Sequence, residues 1–301
     1  MTYFSQAGQD KFVLNILKGK RAGTFLEIGS NHPIHHSNTW LLEKARGWGG
    51  IMVEYLDQWV DQYKKIRGNS TYRIGDATKI DYVELLKDSP KTIDYLQVDI
   101  DAHTGGTLAL LERMDETVLP SRKFAVVTFE HDMYLCAMHG RFLHTREKSR
   151  AIFEKHGYHR VFGDVNDNSP LKVFEDWWVH PDLVDMSYVR RLEAANEHNY
   201  KANPLTVKSI NWRDIAYPDE IKLPVLRIGP SSTNTACVEL EHSFPPDTKL
   251  LFPAAYKDTF SYDLQGSILR VRRTDEESGW GQNLWAVAVV DEEKIDEAGD
   301  R

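Results

Sequence analysis

Five stretches of this chain set an acidic residue, with glycine, serine, asparagine or histidine beside it, at the end of an apolar run. They are Glu27 with Gly29, Ser30 and Asn31; Glu54; Gly75, Asp76 and Ala77; Asp99, Asp101 and His103; and Glu130, His131 and Asp132. A nucleoside needs such groups. A glycine turn lets backbone approach a ligand closely, a carboxylate can accept both ribose hydroxyls, and another can accept an adenine amino proton. Glu54 and Asp76 are the candidates for those two carboxylates.

The elements that must position these residues are legible in the hydrophobic pattern. Phe12, Val13, Ile16 and Leu17 have helical spacing, with Gly19 as a stop. TFLEI is a strand, Ser37 is placed to cap SNTWLLEKAR, and Gly47 ends that helix. The pattern repeats with strand GIMVEY, a helix DQWVDQYKKIRG capped by Asp57, strand TYRIGDA, and a helix YVELLK capped by Asp81. Strand TIDYLQVDID, helix GTLALLERM and the nearly continuous apolar strand KFAVVTFEHD follow. This alternation predicts a doubly wound α/β sheet, whose ligand crevice lies at the carboxyl ends of its strands. A helix from Thr145 to His156 and an antiparallel hairpin of YHRVFGDV with LKVFEDWWVH close the series.

From residue 216 to 292 short apolar segments separated by Pro, Gly, Asp and Ser predict a small all-β domain, a sandwich or jelly-roll-like module, followed by an acidic tail at 293–301. The domain boundary is expected near residue 215.

The formal net charge of -8 over 301 residues argues against nucleic acid as partner. Arg270, Arg272 and Arg273 fit the solvent face of a strand. No apolar run of about 18 residues exists to span a bilayer, and the first residues lack a secretory layout, so a cytoplasmic location is expected. Cys136 and Cys237 have no metal or disulfide spacing and read as free thiols. A homo-oligomer stays open.

SQAGQDKFVL, FLEIGS, SNTWLLE, GWGGIMVE, GDAT and IDYLQVDID, in this order, resemble the FkbM-type branch of class I S-adenosylmethionine-dependent methyltransferases over roughly the first two thirds of the chain. The resemblance implies a seven-stranded Rossmann-like sheet over residues 1–215 whose last two strands are the hairpin. It implies S-adenosylmethionine as cofactor and methyl transfer to a hydroxyl of a sugar, nucleotide sugar or oligosaccharide. The cofactor set is then Glu27, Gly29, Ser30, Asn31, Glu54, Asp76, Ala77 and Asp99, with Glu27 and Gly29 in the cofactor loop, Glu54 on the ribose and Asp76 on adenine. Pro33 and the segment DIDAHTGG depart from the family pattern.

A hydroxyl attacking a methyl sulfonium must lose its proton, so a base is needed. His103, Asp101 and Asp99 are the candidates, with His131 and His139 as further loop histidines. Independently of the resemblance, Asp99, Glu130 and His131 are a donor set that suits Mg or Mn. His32, His35 and His36 could gather a zinc ion, but neighbouring positions 35 and 36 rarely point the same way and no further ligand stands nearby. Trp177, Trp178 and Trp280 are aromatics that either anchor the fold or stack on a sugar.

Two other classes compete. An NAD-dependent oxidoreductase would need GxGxxG after its first strand, where this chain has GSNHPI. A glycan-binding or assembly protein with a catalytically silent methyltransferase-like domain would bind cofactor without turnover.

Overall fold

The computed structural model describes residues 3–100, 105–136, 140–167, 169, 171–202 and 207–221, and beyond them the backbone of six strands. It divides into two compact units, one carrying residues 3–63 and 67–221 and the other carrying the chain from residue 222 on.

In the first unit β1 (Thr24–Ile28), β2 (Gly49–Glu54), β3 (Thr71–Ile74), β4 (Thr92–Val98) and β5 (Lys123–Glu130) run parallel in the order β3-β2-β1-β4-β5. β6 (His159–Asn166) and β7 (Val173–Val179) form the expected hairpin, with β7 inserted antiparallel against β5. The expected count of seven strands is corrected to nine. The stretch just before the expected domain boundary contributes β8 (Tyr200–Ala202) and β9 (Lys208–Asn211), and β9 pairs with β6. Ile210 is fully buried in β9, which lies between β6 and the edge strand β8.

The helices are α1 (Gln9–Ile16), α2 (Trp40–Arg46), α3 (Val60–Ile66), α4 (Tyr82–Leu85), α5 (Gly106–Thr117), α6 (Arg141–Lys155) and α7 (Met186–Asn196). Asp81 caps α4 as expected, its carboxylate accepting from Val83 and Glu84 N–H. Asp57 does not cap α3; it opens a 3-10 turn, and α3 begins three residues later. Helix α6 starts at Arg141, four residues before the expected Thr145. Among the described residues no helix is long and apolar enough to cross a membrane.

The two sheet faces differ in chemistry. Leu26, Ile28, Leu96, Val98, Val127 and Phe129 pack with Leu110, Leu111 and Met114 of α5 and with Phe153 of α6 into an apolar core. The opposite face carries the polar row Glu27, Gln97 and Thr128, paired across β1, β4 and β5, next to the apolar row Phe25, Tyr95 and Val126. Trp177 and Trp178 are both fully buried on opposite faces, against Phe12 and Phe153 respectively, which removes them as sugar-stacking surfaces.

The hairpin is tied to α6 by a buried ionic network. Arg150 holds Asp176 through two hydrogen bonds of 2.6 and 2.7 Å and reaches Asp164 at 3.0 Å, while Arg146 holds Asp164 with two bonds of 2.6 Å. Burial works against the Asp176 charge, but His131 and Arg150 outweigh it and hold that carboxyl far below the ordinary range.

The six strands beyond residue 222 form two antiparallel three-stranded sheets. β10 (Val225–Ile228), β15 (Ala286–Val290) and β12 (Leu250–Leu251) make one, and β11 (Cys237–Glu241), β14 (Ile268–Arg273) and β13 (Phe260–Gln265) the other. Trp280 lies outside the described residues, and so does the acidic tail.

Removing one partner from the buried network strands the other charges. Arg150→Met is expected to lower unfolding stability by about 3–5 kcal/mol, measured by denaturant titration. A loss below about 1 kcal/mol would show that the network does not tie the hairpin down.

Candidate functional site

The turn after β1 is built from below. Gly29 has φ 87°, and a Cβ there would lie 1.7 Å from the Asp99 carbonyl oxygen, so only glycine lets β1 and β4 end side by side. Gly29 and Ser30 N–H both donate to the Val53 carbonyl at 2.9 and 3.1 Å, which sends the chain toward β2. Asn31, at φ 47°, donates its N–H to Glu54 Oε2 at 2.7 Å, and the Tyr63 hydroxyl donates to its carbonyl.

Behind this turn sits the fully buried Arg67. Its Nε donates to Glu43 Oε2 at 2.8 Å, its Nη2 to Thr39 Oγ1 at 2.6 Å, and its Nη1 to the Pro33 carbonyl at 3.2 Å. Burial opposes the Glu43 charge, but Arg67 and Lys44 hold that carboxyl below its ordinary value. Glu27 is less well served. Its Oε1 accepts from Asn38 N–H at 3.1 Å and its Oε2 from Thr39 Oγ1 at 2.6 Å, yet burial leaves its carboxyl raised because Arg67 stands 3.9 Å away.

As the sequence reading expected, His32, His35 and His36 form no metal cage among the described residues. His32 Nδ1 accepts from the N–H groups of both Ile34 and His35 at 3.0 Å, so it closes the turn, and burial with the neighbouring histidines lowers its pKa to about 4. Only His36 of the three borders a cavity.

That cavity, of about 620 Å³, opens at the carboxyl ends of β1 to β4. It is lined by Gly29, Asn31, Val53 to Leu56 and Gly75 to Thr78, and also by Gln6, Gln9, His36, Asn38, Asp99 and Ile100. Of the expected cofactor set, Gly29, Asn31, Glu54, Asp76, Ala77 and Asp99 border it, whereas Glu27 and Ser30 lie beneath it. Glu54 Oε1 accepts from Leu56 N–H at 3.1 Å, so the carboxylate is oriented by backbone on both oxygens. Asp76 Oδ1 accepts from Thr78 N–H and hydroxyl, and its Oδ2 meets Lys79 at 2.8 Å; these bonds, Lys79 first, lower its pKa to about 2. The cavity wall carries three acidic residues and no lysine or arginine among the described residues.

Beside the cavity Asp99 and Glu130 hydrogen-bond one another, and burial with the Asp99 charge keeps the Glu130 carboxyl far above its ordinary range. Behind them Glu175, opposite Glu130 across the β5/β7 ladder, is pushed up to about 8 by burial first and the Asp99 charge next. Gln9 Nε2 donates to Glu175 Oε2 at 2.8 Å. Gln9 and Glu175 escaped the sequence reading. Gln9 stood in the motif SQAGQD without a role, and Glu175 is brought to Glu130 only by strand pairing.

The expected metal set of Asp99, Glu130 and His131 is not assembled. The His131 backbone N–H bonds to the Phe174 carbonyl, its Nδ1 accepts from Met133 N–H at 3.2 Å, and its Nε2 faces Asp176 at 3.4 Å, which turns the ring into the network beside Asp164. Arg150 and Arg146 already neutralise that His131, Asp164 and Asp176 group. Asp101, His103 and His139 lie outside the described residues.

No protein-family model and no curated protein matches the sequence. Among solved structures the chain is similar to a TehB-like SAM-dependent methyltransferase from Corynebacterium glutamicum, at 14% identity and a TM-score of 0.36, covering 58% of this chain and 89% of that one. It is also similar to a protein solved for the conversion of a disulfide bond into a thioacetal group during echinomycin biosynthesis, at 14% identity and a TM-score of 0.33, covering 62% of this chain and 87% of that one. Likenesses this remote carry no weight for function.

Two outcomes are expected from this geometry. Glu54→Gln should weaken adenosine-containing ligands by about 1–3 kcal/mol in calorimetry, the scale of a lost charge-assisted hydrogen bond; unchanged affinity would remove Glu54 from the ribose. Glu175 has a folded pKa raised above its unfolded one, so its contribution is favourable at low pH and is lost as pH rises toward about 8. Glu175→Gln, which keeps an acceptor for Gln9, should therefore melt above the wild type at pH 8, with the gap closing by pH 5. A gap that does not change between those values would contradict the buried-carboxyl assignment.

Proposed function

We propose that this protein is an S-adenosylmethionine-dependent O-methyltransferase acting on a hydroxyl of a sugar, nucleotide sugar or glycan. The observation that supports it most is the charge of the cavity. Glu54, Asp76 and Asp99 border it with no lysine or arginine, an arrangement that favours a cationic sulfonium nucleoside over the pyrophosphate of NAD. Gly29 borders the cavity without a side chain, which fits close backbone approach to such a ligand. When bound, the sulfonium supplies an electrophilic methyl group.

The chain's own residues then have separable tasks. Glu54 and Asp76 orient the nucleoside, and the acceptor lies toward Asp99. The proton of the attacking hydroxyl would leave to Asp99, which borders the cavity, while burial and the Asp99 charge keep the neighbouring Glu130 carboxyl far above its ordinary range. Asp101 and His103 remain sequence candidates for the same task. With His131 turned to Asp176, this reading assigns no step to Mg or Mn.

Calorimetry with S-adenosylhomocysteine and NAD, and a mass-spectrometric screen for one added methyl on nucleotide sugars and oligosaccharides, test the proposal. Binding of the first ligand alone, with methyl transfer, supports it; cofactor binding without transfer to any acceptor favours the silent, glycan-binding alternative. Asp99→Asn is expected to lower kcat by about 10²- to 10⁴-fold while cofactor affinity stays within a few-fold, and turnover should persist in excess chelator. Activity that vanishes with chelator and returns with Mg or Mn would restore an ion to the site.

A further inference from the structure

The motif SQAGQD, residues 5–10, has one exposed member. Ser5, Ala7, Gly8, Gln9 and Asp10 are buried, whereas Gln6 is open to solvent and borders the cavity. The backbone on both sides of Gln6 is held. The buried Asp10 carboxylate accepts from Phe4 N–H at 2.7 Å, from Ser5 N–H at 3.3 Å and from the Ser5 hydroxyl at 2.5 Å. Gln9 Oε1 accepts from Ala7 N–H at 2.8 Å, and Gly8, at φ 75°, lies so near the Trp212 ring that a Cβ would come within 2.8 Å of it. A segment fixed in this way loses little further freedom when its exposed side chain meets a ligand.

The anchors of the segment place it on one half of the sheet. Ser5 bridges in parallel to His36, in the turn after β1, and Gln9 Nε2 donates to Glu175 of β7 at 2.8 Å. Glu175 pairs with Glu130 at the end of β5, and Glu130 hydrogen-bonds Asp99 just beyond β4. In the order β3-β2-β1-β4-β5-β7 the segment is thus fastened at β1 and at β7, while Glu54 of β2 and Asp76 after β3 lie outside that span. A nucleoside held by those two carboxylates leaves the Asp99 half for the second substrate. The exposed groups there suit hydroxyls: a carboxamide donates to one and accepts from the next, and the imidazole of His36, also exposed and bordering the cavity, has both a donor and an acceptor nitrogen when neutral.

Resting on the cofactor reading above, we propose that Gln6 is an acceptor-binding residue, whose amide holds hydroxyls of the sugar acceptor beside the one that is methylated, and that Gln9 and Asp10 position it. The motif SQAGQD then has a task separate from the cofactor: it builds the acceptor wall.

The first test needs no identified acceptor. In aza analogues of S-adenosylmethionine, nitrogen replaces the sulfur and the methyl group can be lengthened to propyl or benzyl; the added group projects along the line of transfer, toward the acceptor. By calorimetry on the full chain, Gln6→Trp should weaken the propyl or benzyl analogue by at least about tenfold relative to the wild type and leave S-adenosylhomocysteine within about twofold. Equal tolerance of the series by both proteins, or a matching loss of S-adenosylhomocysteine, overturns the assignment. The second test uses any oligosaccharide methylated in the mass-spectrometric screen: Gln6→Ala should raise its KM by at least about tenfold, and by more than it lowers kcat. An unchanged KM overturns the proposal. A wild-type protein that binds neither S-adenosylhomocysteine nor any analogue would instead remove the cofactor reading, and this assignment with it.

Discussion

The buried guanidinium of Arg67 is the constraint on which the site depends. It joins Glu43 of α2, Thr39 at the start of that helix and the Pro33 carbonyl in the turn after β1, three points that the chain alone does not hold together. A planar group with five donors can serve several acceptors at once, which a lysine cannot. The turn needs that support because it contains two residues in left-handed conformation without being glycine, Asn31 at φ 47° and His36 at φ 59°. Through Thr39 and Glu27 the same guanidinium fixes Asn38, so the position of a cavity-bordering residue is set by a cation that never reaches the cavity.

Charge is distributed with a clear division. The cations that pair buried acids, Arg67, Arg146 and Arg150, all lie behind or beside the crevice, and the acids bordering the crevice meet none of them. Asp176 and Asp164 are neutralised and serve the hairpin. Asp99, Glu130 and Glu175 have no such partner among the described residues, so burial raises all three, and Glu130 and Glu175 hold protons that ordinary carboxyls would release. A fold that leaves carboxyls in this state gives up stability at neutral pH. The same arrangement provides one anionic oxygen backed by a neutral acid, where a hydroxyl could lose its proton.

The alternation of apolar runs and glycine stops made the first five strands and their helices legible, because a strand buried on both faces must be apolar almost throughout and a helix end must satisfy its free backbone groups. Gly29, Glu54, Asp76 and Asp99 were legible for the same reason, as polar residues ending apolar strands. Ser37 was read as the helix cap; the helix begins at Trp40, and Ser37 still receives the Trp40 N–H at 3.1 Å. Local signals of this kind act over a turn of chain and do not require the rest of the molecule.

What the sequence by itself determined, then, is the order of elements and the residues at their carboxyl ends. The tertiary structure alone decided which of those residues meet. His131 follows Glu130 directly, yet its backbone bond to Phe174 and the buried pull of Asp176 turn it away from Asp99, so adjacency in the chain did not become a shared site. Glu175, 45 residues beyond Glu130, became its neighbour because β7 inserts antiparallel beside β5. Arg67 and Gln9 carry no sequence signal for their tasks, since an arginine or a glutamine is ordinary on a surface helix or turn. Their roles arise only when packing removes water and leaves each polar atom to find its partner within the protein or its ligand.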